Sequence, residues 1–154
     1  MEKINLRVLK PTRQKPKAGD IFKFQLESTP ATFYFGRVIS TDTKIGGFPG
    51  GVILIYLYNV TSGETIPQLK LSSLLTAPIG TNALPWTKGF FEVVENRRIE
   101  VNDLLPKHCF RDARGWYFDE NANRLSTPYE PIGVFGLHSY KTIDEEIGKA
   151  LKQA

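Results

Sequence analysis

Phe22, Phe24 and Leu26 alternate with Lys23, Gln25 and Glu27, the period of two that marks a strand with one buried and one wet face. The strand covers 21–27 and starts at Gly19-Asp20, where glycine accepts positive φ and aspartate bonds nearby backbone donors. Ser28-Thr29-Pro30 ends it. A second strand over 31–40 carries Phe33, Phe35 and Ile39 around Gly36, and a glycine inside a strand signals a bulge or a close approach. The pair reads as a β-hairpin.

Gly46-Gly47-Phe48-Pro49-Gly50-Gly51 is then a loop between strands, without the lysine and serine of a phosphate cradle. It leads into Val52-Ile53-Leu54-Ile55-Tyr56-Leu57-Tyr58, an unbroken apolar run that predicts a central strand covered on both faces. The candidate covers are the leucines at 69, 71, 74 and 75, and a C-terminal helix. That helix is expected to start at a capping box of Thr142 and Glu145, with Ile143, Ile147, Ala150 and Leu151 on its docking face. Gly148 inside it suggests close packing, because an exposed glycine would only weaken the helix. Three more strands are read at 90–95, 109–111 and 116–119, with short helical segments at 69–75 and 102–107. The expected fold is α+β: a twisted, mostly antiparallel sheet, including a small SH3-like barrel part, with the C-terminal helix packed on it.

Composition narrows the class. A chain of 154 residues with 41% hydrophobic content supports one well-filled core, so residues 1–154 are read as a single domain. No run approaches the length of a membrane span, and the N-terminus lacks the apolar stretch of a secretory signal. With a single cysteine, Cys109, these features point to the cytoplasm. The net charge of +4 is concentrated: residues 1–17 hold six basic side chains against Glu2, a local +5, which leaves the rest at −1. This segment is either a basic arm that binds phosphate or a leader strand, since Ile4, Leu6 and Val8 alternate with polar residues. The near-neutral body offers no broad footprint for nucleic acid.

The search for chemistry returns little. Two histidines and one cysteine make no conventional zinc set. Cys109 with His138, or less well with the adjacent His108, would be a nucleophile and base only if the fold joined them, and a buried thiol is the commoner arrangement. Asp119, Asn121, Asn123 and Glu130 coincide with calcium-loop positions, but Arg124 stands where that loop needs glycine, so a polar hairpin turn explains them better. No metal, cofactor or catalytic residue is expected, and the chain reads as a binding protein, not an enzyme.

Five ordered motifs carry a resemblance: Lys17-Ala18-Gly19-Asp20-Ile21-Phe22, Phe35-Gly36-Arg37-Val38-Ile39, Trp86-Thr87-Lys88-Gly89-Phe90-Phe91, His108-Cys109-Phe110, and Gly136-Leu137-His138-Ser139-Tyr140-Lys141-Thr142-Ile143. Together they resemble the immunity protein 26 family. The resemblance implies a cytoplasmic antidote of a bacterial polymorphic toxin system, encoded beside a protein toxin that it blocks by binding.

Candidate partner contacts follow from exposed aromatic and acidic groups: Trp86, Trp116 and Tyr117, the pair Glu92 and Glu95, and the pair Asp119 and Glu120. Trp86, preceded by Pro85 and followed by a strand, reads as a core plug ahead of an interface anchor, and alternation puts one of Trp116 and Tyr117 outward. A rival reading takes the opening motif as the SH3-like barrel of growth-inhibiting ribonuclease toxins, which Gly-Asp-Ile and the Arg37-Val38 pair also resemble. Arg37 would then meet the scissile phosphate. A third has the basic arm and exposed aromatics reading nucleic acid, with steep salt dependence.

Overall fold

The computed structural model describes residues 4–152. Of the N-terminal segment, Glu2 and Lys3 lie outside the described residues. The hairpin forms as read, from β1 (Asp20–Leu26) and β2 (Thr29–Thr43), followed by β3 (Val52–Ser62) and β4 (Ile79–Thr81). A four-residue helix, α1 (Leu84–Thr87), precedes β5 (Glu92–Asn96). Then come β6 (Cys109–Arg111), β7 (Tyr117–Phe118), β8 (Arg124–Leu125), β9 (Ile132–Val134) and the C-terminal helix α2 (Tyr140–Lys152).

Two sheets result. The larger has the order β4-β3-β2-β1-β5 and is antiparallel throughout. The smaller runs β8-β7-β6-β9, with only β6 and β9 parallel. The fold is α+β and mostly antiparallel, as the pattern predicted. β4 and β5 stand at opposite ends of their sheet, so the SH3-like barrel part does not close.

Strand β3 explains the layering. Ile53, Ile55 and Leu57 enter one core with Phe22, Phe24, Trp86 and Phe91, and α2 covers it through Ile143 and Ile147. Leu54, Tyr56 and Tyr58 enter a second core on the opposite face, with Phe110 of the small sheet and the partly buried Leu69, Leu71 and Leu74. Both covers anticipated for the apolar run are thus used, one on each face. The short helical segments shrink to single 3-10 turns at Leu71–Ser73 and Val101–Asp103.

Three local expectations change. The wet face of β1 is interrupted: Lys23 is partly exposed and Glu27 exposed, but Ile21 is buried, and so is Gln25, which is consumed by bonds to Arg7 and to the carbonyl of Pro30. The α2 cap is Ser139, whose hydroxyl accepts the amide of Thr142, so Thr142 is the third residue of the helix and not its cap. Gly148 is not tightly packed, since a Cβ there would meet nothing within 4 Å. Gly148→Ala is therefore expected to stabilise the protein by about 1 kcal/mol, by the helix preference of alanine alone; a denaturant midpoint that does not rise would refute it.

Gly36 does answer to a close approach. A Cβ on it would lie 2.3 Å from the Phe22 ring, so the glycine is the slot in which that ring sits. Gly19 holds φ +92° with the carbonyl of Arg97 2.5 Å from where a Cβ would stand, which fixes the turn into β1.

The N-terminal segment is tied down at several points. Leu6 bridges Leu26 and is buried, and the carboxylate of Asp144 on α2 accepts the amides of Asn5 and Leu6. Further on, the amides of Leu9 and Lys10 both donate to the carbonyl of Gly89.

Candidate partner-binding surface

The residues singled out in the sequence fall in three places. Trp86 is in the core, 1% exposed, edge-on to Phe22 and Phe91 at 5.3 and 5.2 Å. Glu92 and Glu95 lie on the end strand β5, where Glu92 sits 3.9 Å from Lys23 and Glu95 is paired with Arg97. Trp116, Tyr117, Asp119 and Glu120 come together at the outer end of the small sheet.

That outer end is a stiff platform built from two turns. In the first, Asp112 accepts the amides of Arg114 and Trp116 and forms an ion pair with the Arg114 guanidinium at 3.1 Å. In the second, which joins β7 to β8, Asp119 accepts the amides of Asn121 and Asn123. Asp119 is thus the acceptor of a polar hairpin turn, as its spacing allowed. The β7–β8 register sets Phe118 opposite Arg124, so Trp116, two positions before Phe118 on the same face, reaches Arg124 diagonally. The guanidinium of Arg114 lies 3.9 Å from the Trp116 ring and that of Arg124 3.7 Å. Cations on an aromatic face are held by its negative quadrupole, and the tryptophan still shows 39% of its surface to solvent. Tyr117, its neighbour, is half-buried, so the outward member of the pair is Trp116.

Glu120 braces this end against the large sheet. Its Oε1 lies 3.3 Å from Nδ1 of His108, whose Nε2 lies 2.5 Å from the hydroxyl of Tyr56 in β3. Burial pushes the Tyr56 phenol up to about 12, so it stays protonated and donates to Nε2. The other ring nitrogen, Nδ1, faces Glu120. The Tyr56 oxygen in turn accepts the amide of Leu105. Tyr56 is fully buried and His108 nearly so, so the chain of three side chains is a brace that reaches solvent only at Glu120.

The bond from His108 holds the Glu120 carboxyl below the usual glutamate range, against the opposing effect of its partial burial. A depressed carboxyl stabilises the fold above its unfolded value and loses that contribution as pH falls through its folded value. Glu120→Gln is accordingly expected to remove part of the stability lost on acidification below the ordinary glutamate range, while changing neutral-pH stability in the unfavourable direction. Thermal melts of both proteins from neutral to acid pH check it; parallel curves would remove Glu120 from the brace.

Other sequence candidates are not assembled into chemistry. Cys109 is a fully buried free thiol, and no hydrogen bond joins it to His108 or His138 among the described residues. His138 is buried, and burial pulls its pKa down against the nearby Glu146. Arg37 is 4% exposed, and its guanidinium is taken up by Asp103 at 3.1 Å and by the carbonyls of Arg97 and Arg98. It has no open path to a phosphate. The ribonuclease reading thereby loses the residue it relied on.

Sequence reading missed the Tyr56–His108–Glu120 brace and the two arginines that flank Trp116. The brace spans 52 positions from Tyr56 to His108 and carries no local signal. The arginines did leave one, since Arg114-Gly115-Trp116 and the turn at 119–123 set cation and ring in hairpin reach.

Among the described residues no helix is long and apolar enough to cross a membrane. No curated protein and no solved structure gives a significant match to the chain. A protein-family model, Immunity protein 26, matches residues 17–115, which include four of the five motifs noted in the sequence, the turn into β1, the Arg37 strand, the Trp86 segment and His108-Cys109-Phe110, and which end one residue before Trp116. With well over half of its length matched, the chain belongs to the immunity protein 26 family.

Proposed function

We propose that the protein is a non-catalytic immunity protein that binds a cognate bacterial toxin in the cytoplasm and blocks it by occlusion, and that Trp116 anchors the contact. Family membership supports the role. The observation that carries the site is the exposed Trp116 ring held by Arg114 and Arg124 on turns whose carboxylates, Asp112 and Asp119, each accept two backbone amides. Large rigid aromatics and arginines dominate binding energy at protein interfaces, and a side chain already ordered in the free protein loses less entropy on binding. Arg37, buried and with both terminal nitrogens bound to Asp103 and to the carbonyls of Arg97 and Arg98, and the buried Tyr56 favour the binding reading over phosphodiester chemistry.

The test is growth rescue. Cells expressing the toxin encoded beside this protein are expected to survive when the protein is co-expressed, and purified toxin is expected to bind it. Trp116→Ala should weaken that binding by about 2 kcal/mol or more, a loss of roughly thirtyfold, with little change in melting temperature. Wild-type protein that neither rescues nor binds would refute the role; rescue with an unaffected Trp116→Ala would keep the role and reject the site.

A further inference from the structure

The segment from Lys10 to Lys17 is a strap that spans the outer side of β5. One end is held where Leu9 and Lys10 donate to Gly89, just before β5, and where Thr12 donates to the carbonyl of Trp86. The other is held where the amide of Lys17 donates to the Asp20 carboxylate, which also accepts from Asn96 at the last position of β5. Between these ties the strap carries Pro11 and Pro16. Proline has no amide to donate, so the strap cannot zip onto β5 as a further strand. What remains is a groove of about 500 Å³, with Lys10, Lys15 and Lys17 on the strap side and Glu92, Val93 and Asn96 on the strand side.

The charges in this groove are unequal in their freedom. Asp20 is occupied by two donors, and Glu92 lies beside Lys23. No ion pair engages Lys10, Lys15 or Lys17 among the described residues. β5 ends its sheet, and Val93 is 41% exposed. An unpaired strand edge beside an exposed apolar side chain is a template for an added strand.

We infer that the groove between the strap and β5 docks a short, extended acidic segment of the partner protein, which lies along β5 with its carboxylates on Lys10, Lys15 and Lys17. This rests on the immunity reading for the identity of the partner, and it places a second contact away from Trp116. A strand edge with an apolar side chain favours polypeptide over a nucleic-acid backbone, which has no amides and carbonyls in register to pair the edge. A second copy of this chain fits poorly, because it would bring the same lysines to meet their equals.

Two arms test it. In the first, fluorescence anisotropy follows a labelled short peptide of alternating glutamate and valine, a lysine–valine counterpart, and oligouridylate. The acidic peptide is expected to bind best, to weaken at least about tenfold in the triple variant Lys10→Glu, Lys15→Glu, Lys17→Glu, and to protect amides at 92–96 from deuterium exchange. Equal or better binding of the basic peptide or the RNA, no binding of the acidic peptide, or no loss in a folded triple variant would overturn it. Concentration-dependent dimerisation of the free protein that protects 92–96 would also overturn it, in favour of self-association. In the second arm the triple variant is expected to fail in growth rescue where wild type succeeds. Rescue by both leaves the immunity role intact and rejects the groove; rescue by neither rejects the role, and the peptide arm alone then decides the groove.

Discussion

Trp86→Ala is expected to cost about 3–5 kcal/mol of stability, the range for removing a large aromatic from a closed core. The ring is 1% exposed and meets Phe22 and Phe91 edge-on, while those two rings stack on each other at 4.3 Å. Truncation would leave a cavity that neither ring can fill, because Phe22 is seated against Gly36 and Phe91 also abuts Phe24. Trp86→Phe should cost clearly less, since it keeps much of the apolar contact and removes an indole N–H that has no acceptor. Chemical denaturation of the three proteins checks the order. If Trp86 were an interface anchor, alanine would instead spare stability and reduce toxin binding, and that outcome would return Trp86 to the surface candidates.

This residue also shows what a sequence can and cannot disclose. Pro85 before Trp86 and a strand after it point to a plug, and the structure places it in the core against Phe22 and Phe91. The hairpin, the central strand β3 and α2 were legible because each rests on a local period, and periodicity records which face is buried. The wet face assigned to β1 holds at Lys23 and Glu27 and fails at Gln25, whose side chain is taken up by Arg7, 18 positions away in the sequence. The α2 start was misplaced by one turn because Ser139 and Thr142 are both good caps, and only the geometry shows whose hydroxyl accepts which amide.

The candidate surface was legible in its residues and hidden in its arrangement. Trp116, Tyr117, Asp119 and Glu120 were all found, being close in sequence on one hairpin. Their bracing by His108 and Tyr56 is a tertiary fact. The groove along β5 was missed for a further reason: Lys10, Lys15 and Lys17 read as one charged arm, and their function as a wall depends on ties at Gly89 and Asp20 that no pattern encodes.

Arg37→Ala carries the second large effect, an expected loss of about 3 kcal/mol, because removing the buried arginine leaves a partly buried carboxylate and two carbonyls without their donor. Three groups would be stranded. Asp103 would lose its cation at 3.1 Å, and the carbonyls of Arg97 and Arg98 would lose a shared donor at 3.0 and 3.1 Å. The carbonyls follow β5 directly, so the variant should loosen the chain between β5 and the turn at Val101–Asp103 before the rest of the fold. Arg37→Lys should recover only part of the loss, since one ammonium cannot reproduce a planar fork that serves a carboxylate and two carbonyls at once. A cycle with Asp103→Asn would show coupling between the two sites, which an exposed, phosphate-seeking arginine would not. The same variants decide between the two functional readings. A buried brace predicts lower stability with toxin neutralisation unchanged per folded molecule; a catalytic arginine predicts an RNA-cleaving activity that disappears in a protein of unaltered stability. Denaturation midpoints measured beside growth rescue and RNA integrity distinguish them, because the two readings move opposite observables.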